Sequence, residues 1–481
     1  MAKTYDVRVW SIKPRKDKQG KVTSYGVRWR VAQQQPFLKS FKTKAAADSF
    51  RAELLSAQRG GEAFDTDTGF PVSLTRTANE LTWFDFAQRY VDMKWPRAAA
   101  KSRVGNADTL ASATMAMLST DRGKPEERVL RKAMTGWAFN TRRRDEPKPD
   151  HIARALRWLT ANTVPVSRLD EPAAMRALLE AIATKLDGTP ASAKTVARKR
   201  AVLHNALEYA VELNVLTRNL LPSVKWTAPK EAKAIDRRAV INPEQARRLL
   251  DAVGRQYVNG QPRRSSGPML VAFFACLYYA GLRPEEAVML SKTDLQLPEN
   301  GWGELLLSRT APTAGAAWTD SGHRRDRRQL KQRGRGEVRH VPCPPPLTEL
   351  LHAHLKRHGT AGDGRLFRNL TGGLVGESTI ARVWDKARRT ALTEAEYASV
   401  LARRPYDLRH ACVSTWLAAG VPSTQVAEWA GHSVAVLHQI YAKVLAGQEE
   451  AARERIDRVL GLPTAESRST PVPQTPDDGG T

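Results

Sequence analysis

A chain of 481 residues, 41% of them hydrophobic, has enough apolar material for two or three domains with a core each. Its 76 Lys+Arg against 50 Asp+Glu leave a formal net charge of +26, which points to a polyanionic partner, nucleic acid first, with a generally adhesive basic protein as the plain alternative. Three scattered cysteines (Cys276, Cys343, Cys412) exclude a disulfide framework and a cysteine-based metal site. The start, Met1-Ala-Lys-Thr-Tyr5, lacks a signal-peptide core, and the longest apolar run, Met269 to Leu282, falls short of the roughly 20 residues that a membrane span needs. A soluble, cytoplasmic protein with no membrane partner is the expectation.

In chain order, residues 5–12, 24–32 and 37–43 read as three short strands. In the second, Tyr25, Val27, Trp29 and Val31 alternate with Gly26, Arg28 and Arg30, giving one apolar and one basic face. Thr43 caps a helix running to about Gln58. Residues 1–60 carry 14 Lys/Arg against four acids, so this unit is a candidate DNA-reading module, with Arg28 and Arg30 as contacts. The stretch from Gly60-Gly61 to Thr77 reads as a linker.

Thr82 opens a helical region that continues to about Asn214. Trp83, Phe86, Ala87, Tyr90 and Val91 recur at helical spacing, and 170–186 behaves alike. In 191–213, Leu203, Leu207 and Ala210 alternate with Lys194, Arg198, Lys199 and Arg200, which suits an apolar core on one face and phosphates on the other. Lys101–Asn106 and Arg142–Pro147 read as basic loops, and the Lys/Arg-rich run from Pro222 to Val240 as an interdomain linker.

Asn242-Pro243 starts a further domain. Pro268 to Ala280 is apolar all round, hence a buried helix. Residues 303–308 and 336–341 read as strands joined by a long basic connection, with helices near 346–358 and 378–391. His352, His354 and His358 lack a convincing fourth ligand and read as a solvated helix face, so no metal is expected. Asp407 can cap a helix that Gly420 ends; a short helix, 424–430, leads into Gly431-His432-Ser433 and then Tyr441. One more helix spans about 448–460, and the Pro/Ser/Thr/Asp/Gly tail 463–481 reads as disordered.

Arginine, histidine and tyrosine gathered in one compact segment suit phosphoryl transfer, in which some groups neutralise an oxyanion and another attacks. Ala280-Gly-Leu-Arg-Pro-Glu-Glu286, Tyr406-Asp-Leu-Arg-His410, Gly431-His-Ser433 and Tyr441 together resemble the tyrosine recombinase (phage integrase) family. The resemblance covers residues 240–462 by motif and the preceding part more loosely by layout. It implies a mainly α fold with small β-sheets (α+β) in three parts: an arm-type DNA-binding module at 1–60, a helical core-binding domain at 78–222, and a catalytic domain at 240–462.

The resemblance also implies roles. Tyr441, nine residues past His432, would be the nucleophile, and Arg283 and Arg409 the forks that hold the nonbridging phosphate oxygens. His432 would donate to the same phosphate, and Lys331 would protonate the leaving 5′ oxygen. Glu286 would orient the arginines, and His410, adjacent to Arg409 on a helix, would support the fold. Tyr406 stands where the family usually has histidine, and a phenol shuttles protons poorly near neutrality. No metal, nucleotide or other cofactor is implied, because a phosphotyrosyl ester retains the energy of the broken bond. The implied partners are double-stranded DNA attachment sites, three further copies of the chain in a tetramer on two duplexes, and an excisionase or a host DNA-bending protein. The implied activity is integration of a mobile element. A chromosome-dimer resolvase or invertase of the same family, or a catalytically inert DNA-binding protein of this fold, are the alternatives.

Overall fold

In a computed structural model the described residues are 3–17, 20–71, 81–227, 229, 235–256, 266–330, 334, 336–445 and 449–460. They form a mainly helical protein with small antiparallel sheets, which divides into two compact units, one of residues 1–98 with 102–229 and one of 99–101 with 230–481. No described helix is long and apolar enough to cross a membrane. The expected tail 463–481 lies outside the described residues, as does the expected linker 60–77 beyond residue 71.

In the first unit, β1 (Val7–Val9), β2 (Lys13–Lys16), β3 (Val22–Val31) and β4 (Phe37–Phe41) form one antiparallel sheet. The strand expected over 5–12 is shorter, Val7–Val9, and a further strand not expected from the sequence, β2, follows it. β1 pairs with residues 29–31 of β3 and β2 with residues 22–26, so both lie along one edge of the longest strand, and β4 lines the other. Alternation along β3 puts Val27, Trp29 and Val31 inward, where helix α1 (Lys44–Arg59) covers them with Ala47, Phe50 and Leu54. The Thr43 hydroxyl accepts from the Ala46 amide and caps α1 as its sequence requires.

The remainder of this unit is helical: α2 (Trp83–Lys94), α3 (Ala100–Ala116), α4 (Glu127–Ala133), α5 (Asp150–Ala161), α6 (Pro172–Ala183) and α7 (Ala193–Glu212). Phe86 and Tyr90 of α2 each lie 6.2 Å, centroid to centroid, from the Tyr209 ring of α7. Residues 101–106, expected as a basic loop, are helical within α3. Gly105 weakens the local pattern, but the Arg103 guanidinium lies 4.6 Å over the Trp95 ring and the Thr109 hydroxyl donates to the Gly105 carbonyl at 2.7 Å.

The second unit opens with α8 (Pro243–Gly254), whose Asn242 and Gln245 form a reciprocal capping box. Helix α9 (Gly267–Tyr279) is buried nearly all round, and Phe273 meets Phe274 and Phe367 edge-on at 5.3 and 5.5 Å. The short α10 (Pro284–Ala287) follows at once. Strands β5 (Leu295–Gln296), β6 (Gly303–Leu307) and β9 (Arg339–Cys343) make a sheet ordered β9-β6-β5. The long basic connection folds back on itself through a two-residue ladder of β7 (Arg309–Thr310) and β8 (Arg328–Gln329). Helices α11 (Pro345–His358), α12 (Glu377–Ala391), α13 (Glu394–Ala398), α14 (Asp407–Ala418), α15 (Ser423–Ala430), α16 (Val434–Leu445) and α17 (Glu449–Val459) complete it.

Asp407 does not cap α14 with its side chain. It is the first helical residue, and its carboxylate turns back to accept from the Arg404 amide at 2.8 Å and the Arg404 guanidinium at 2.9 Å. Of the three histidines on α11, His354 is buried with Nε2 3.0 Å from the Leu366 carbonyl, so it belongs to the core rather than to a solvated face. Phe273→Ala should lower the stability of this unit by about 3–5 kcal/mol, because a buried ring is lost from a packed aromatic cluster. Hydrogen exchange of the α9 amides should accelerate accordingly while that of the 7–59 module stays unchanged.

Candidate active site

Four separated segments of the second unit supply one buried cluster. Arg283 sits at the start of α10, immediately after the sharp turn at Gly281, whose φ is +60°. Its backbone amide donates to Glu286 Oε2 at 2.9 Å, its Nη1 to Oε1 at 2.6 Å, and its Nη2 to the Gly431 carbonyl at 2.6 Å. The expected partnership of Glu286 with the arginines is therefore present.

A third arginine had no role in the sequence reading. Arg339, the first residue of β9, is 2% exposed and grips Glu286 with both ends of its fork, Nη1 to Oε1 at 3.0 Å and Nη2 to Oε2 at 2.7 Å. A signal existed: in a predicted strand at 336–341, positions 339 and 341 share a face, and Val341 marks that face as inward. Burial pushes the Glu286 carboxyl up, but Arg339 and Arg283 outweigh it and hold it well below the usual carboxylate range.

Arg409 on α14 is fully buried. Nη1 donates to the Gly281 carbonyl, and Nη2 to the Ala430 carbonyl and to His432 Nε2, the last at 2.9 Å. Both Arg409 and Arg283 thus reach the carboxyl end of α15, where backbone carbonyls are left without helical partners. Gly431 makes this possible by adopting the left-handed conformation (φ +61°, ψ +48°). A Cβ at that position would run into Arg339 Nη1 and sit 3.3 Å from Arg283 Nη1, so only glycine fits.

Because Arg409 donates to Nε2 of His432, the neutral ring carries its proton on Nδ1. Burial, with Arg409 and Arg283 beside it, pushes this imidazole down to about 3, so it is neutral across the physiological range. Three buried nitrogens of the cluster (Arg339 Nε, Arg409 Nε and His432 Nδ1) find no hydrogen-bond partner among the described residues. Three guanidinia against one carboxylate, with donors to spare, suit a bound oxyanion.

Tyr441 lies within α16, where its φ of −108° and ψ of 16° break the helix. The ring is 1% exposed, packed with Val413, Leu417, Val426 and Leu437. Burial drives its phenol well above the ordinary value, opposed by Arg409. Its hydroxyl lies 2.9 Å from His410 Nδ1, so His410 contacts the candidate nucleophile rather than merely supporting the fold. The Tyr406 ring packs edge-on against His410 with centroids 5.1 Å apart. Arg283, Glu286, Arg409, His410, His432, Tyr406 and Tyr441 are therefore brought together, while Lys331 lies outside the described residues.

Of the candidate DNA contacts in the first unit, Arg28 is exposed, 5.2 Å over the Trp10 ring, Arg30 is half-buried, and Lys194 and Arg198 are exposed. Lys199 departs from expectation. It is 6% exposed, donates to the Ser112 hydroxyl at 2.9 Å and lies 3.6 Å from Asp108, because α7 turns that position toward α3. It is a buried ion pair rather than a phosphate contact. Arg200 is half-buried, and its buried Nε finds no partner among the described residues.

No protein-family model and no curated protein matches this chain. Among solved structures it is similar to the Tn1549 transposon integrase in complex with transposon right end DNA, at 18% identity and a TM-score of 0.46 over 68% of this chain and 99% of that one. It is also similar to the XerH site-specific recombinase bound to difH substrate (14% identity, TM-score 0.44, 78% and 94% covered). A lambda integrase tetramer bound to a Holliday junction gives 11% identity and a TM-score of 0.46, with 87% and 95% covered.

Glu286→Gln removes the charge between Arg283 and Arg339 and should cost about 3–5 kcal/mol at neutral pH, as for one partner of a buried ion pair. Since the folded pKa is depressed, the carboxylate's contribution is present above the unfolded value and is lost as pH falls through and below it, about 4.3. Denaturation of both proteins from pH 7 down to pH 3 should show the gap between them closing.

Proposed function

We propose that this chain is a tyrosine site-specific DNA recombinase, most specifically an integrase of a mobile element, that cuts and rejoins strands without metal or ATP. The observation that carries this reading is the convergence of a buried tyrosine hydroxyl with three guanidinia and a neutral imidazole from distant parts of the sequence. The Tyr441 phenol attacks the scissile phosphorus, forming a 3′-phosphotyrosyl ester as the bond to the 5′ oxygen breaks. Arg283 and Arg409 take the nonbridging oxygens, and His432 donates through Nδ1. Arg339 and Glu286 hold Arg283 in register. Lys331 is assigned as the acid that protonates the 5′ oxygen.

One tyrosine opens one strand, so exchange between two duplexes takes four copies, which is the case for a tetramer. The basic sheet of residues 7–41, with Arg28 exposed over Trp10, supports an added DNA module and favours integration over resolution or inversion. An excisionase or a host DNA-bending protein would set direction. The high net charge supports double-stranded DNA as the partner.

Covalent capture tests the reading. Nicked duplexes of randomised sequence should yield an adduct that survives denaturing gels and maps to Tyr441, while Tyr441→Phe retains DNA and forms none. Arg409→Ala should slow adduct formation by about 10²–10³, the usual effect of losing one preorganised donor. An undiminished adduct in Tyr441→Phe would move the nucleophile elsewhere, and no adduct at all would leave an inert DNA-binding protein.

The module makes a separate prediction. Arg28→Ala with Arg30→Ala should weaken duplex binding and flatten its salt dependence by about one to two units of slope, as two counterion-releasing contacts are lost. Titrations at several salt concentrations would read this directly.

A further inference from the structure

Among the described residues the hydrogen-bond partner of the Tyr441 hydroxyl is His410 Nδ1, at 2.9 Å. A tyrosine whose phenol burial drives upward attacks slowly unless its proton has somewhere to go. Two imidazoles are near. His432 is the weaker candidate, because its Nε2 lone pair already accepts from Arg409 and its basicity is depressed by burial and by the guanidinia. His410 instead meets the hydroxyl oxygen directly, through Nδ1. Tyr406, the residue just before α14 and four positions before His410, abuts the His410 ring edge-on and so limits its rotation.

We infer that His410 is the general base of strand cleavage, accepting the Tyr441 proton at Nδ1, and that Tyr406 holds its ring for that task. The inference rests on the recombinase reading above. As the Tyr441 Oη–phosphorus bond forms, the phenolic proton passes to Nδ1 and the bond from phosphorus to the 5′ oxygen breaks. That oxygen takes its proton from the acid assigned to Lys331. In rejoining, a 5′-hydroxyl attacks phosphorus and gives its proton back to the group assigned to Lys331, the phenolate leaves, and the His410 imidazolium returns the other proton to it. The charged and titratable groups that act on Tyr441 are Arg409, Arg283, Tyr406 and Cys412, and His410 acts on His432 together with Arg409, Arg283 and Arg339. The excess of positive charge stabilises the phenolate as it develops.

The test measures adduct formation in single turnover across pH on a duplex first captured covalently by the native protein. His410→Gln should bind that duplex as the native protein does, yet form adduct about 10²–10⁴ more slowly at neutral pH, the usual worth of a positioned base. The native rate should rise with pH as an imidazole loses its proton, and the variant should lack that limb. Fluorotyrosine at 441, a more acidic phenol, should narrow the gap between the two. Equal rates and equal pH profiles would overturn the assignment. So would a slow variant that keeps the limb and gains nothing from fluorotyrosine, since His410 would then only pack the ring. Should His410→Gln fail to fold, His410→Asn replaces it. If neither retains DNA, a native profile without an ionisation in the imidazole range overturns the assignment. Absence of any Tyr441 adduct from the native protein would instead sink the recombinase reading itself, which separates the two failures.

Discussion

The Glu286 carboxylate is the constraint on which the second unit depends. Three guanidinia in a water-excluded space would repel one another at several kcal/mol per pair without a counter-charge. Glu286 binds two of them at once, Arg339 with both oxygens and Arg283 through side chain and backbone. Such a buried arrangement adds little net stability over an apolar replacement. What it supplies is position: the fork of Arg283 is fixed on one side by Glu286 and on the other by the Gly431 carbonyl. The net charge stays positive, so the cluster remains ready for an anion.

The second support is the carboxyl end of α15. A helix end buried without partners for its carbonyls is costly. Here Ala430 and Gly431 hand theirs to Arg409 and Arg283, so helix termination and arginine placement are solved together. The left-handed turn at Gly431 sends the chain into His432, whose Nε2 then completes the shell of Arg409. The packing of α14, α15 and α16 sets Tyr441 against His410 in the same way: Val413 and Leu417 from α14, Val426 and Ala430 from α15 and Leu437 from α16 close around the ring. The backbone break of α16 lies at Tyr441, the residue proposed as the nucleophile.

Inward-facing basic residues divide by their partners. Arg339 and Arg409 are buried yet satisfied chiefly by a carboxylate and by backbone carbonyls, and remain charged. Lys199 in the first unit is buried beside Asp108, and burial lowers its pKa against the pull of that carboxylate. The same residue class thus gathers around Glu286 in the second unit and, as Lys199, Arg131 and Arg198, around Asp108 in the first.

Local pattern was sufficient for much of this protein. Alternation in 24–32, the Asn242-Pro243 start, the all-apolar α9 and the Gly420 and Gly431 helix ends are short-range features, and each element forms where its residues require. The motifs around Arg283, Arg409 and His432 are local for the same reason, since each lies near a helix junction marked by glycine or proline, whereas Tyr441 lies inside α16. Long-range geometry decided the rest. Arg339 matters through a carboxylate 53 positions earlier, and His410 through a hydroxyl 31 positions later. Lys199 left the basic face because its amine reaches Ser112 and Asp108 of α3, and β2 forms beyond the expected strand because β3 offers its edge to two short strands in succession. Spacing along a chain reports which face a residue occupies. Only the packed structure determines what that face meets.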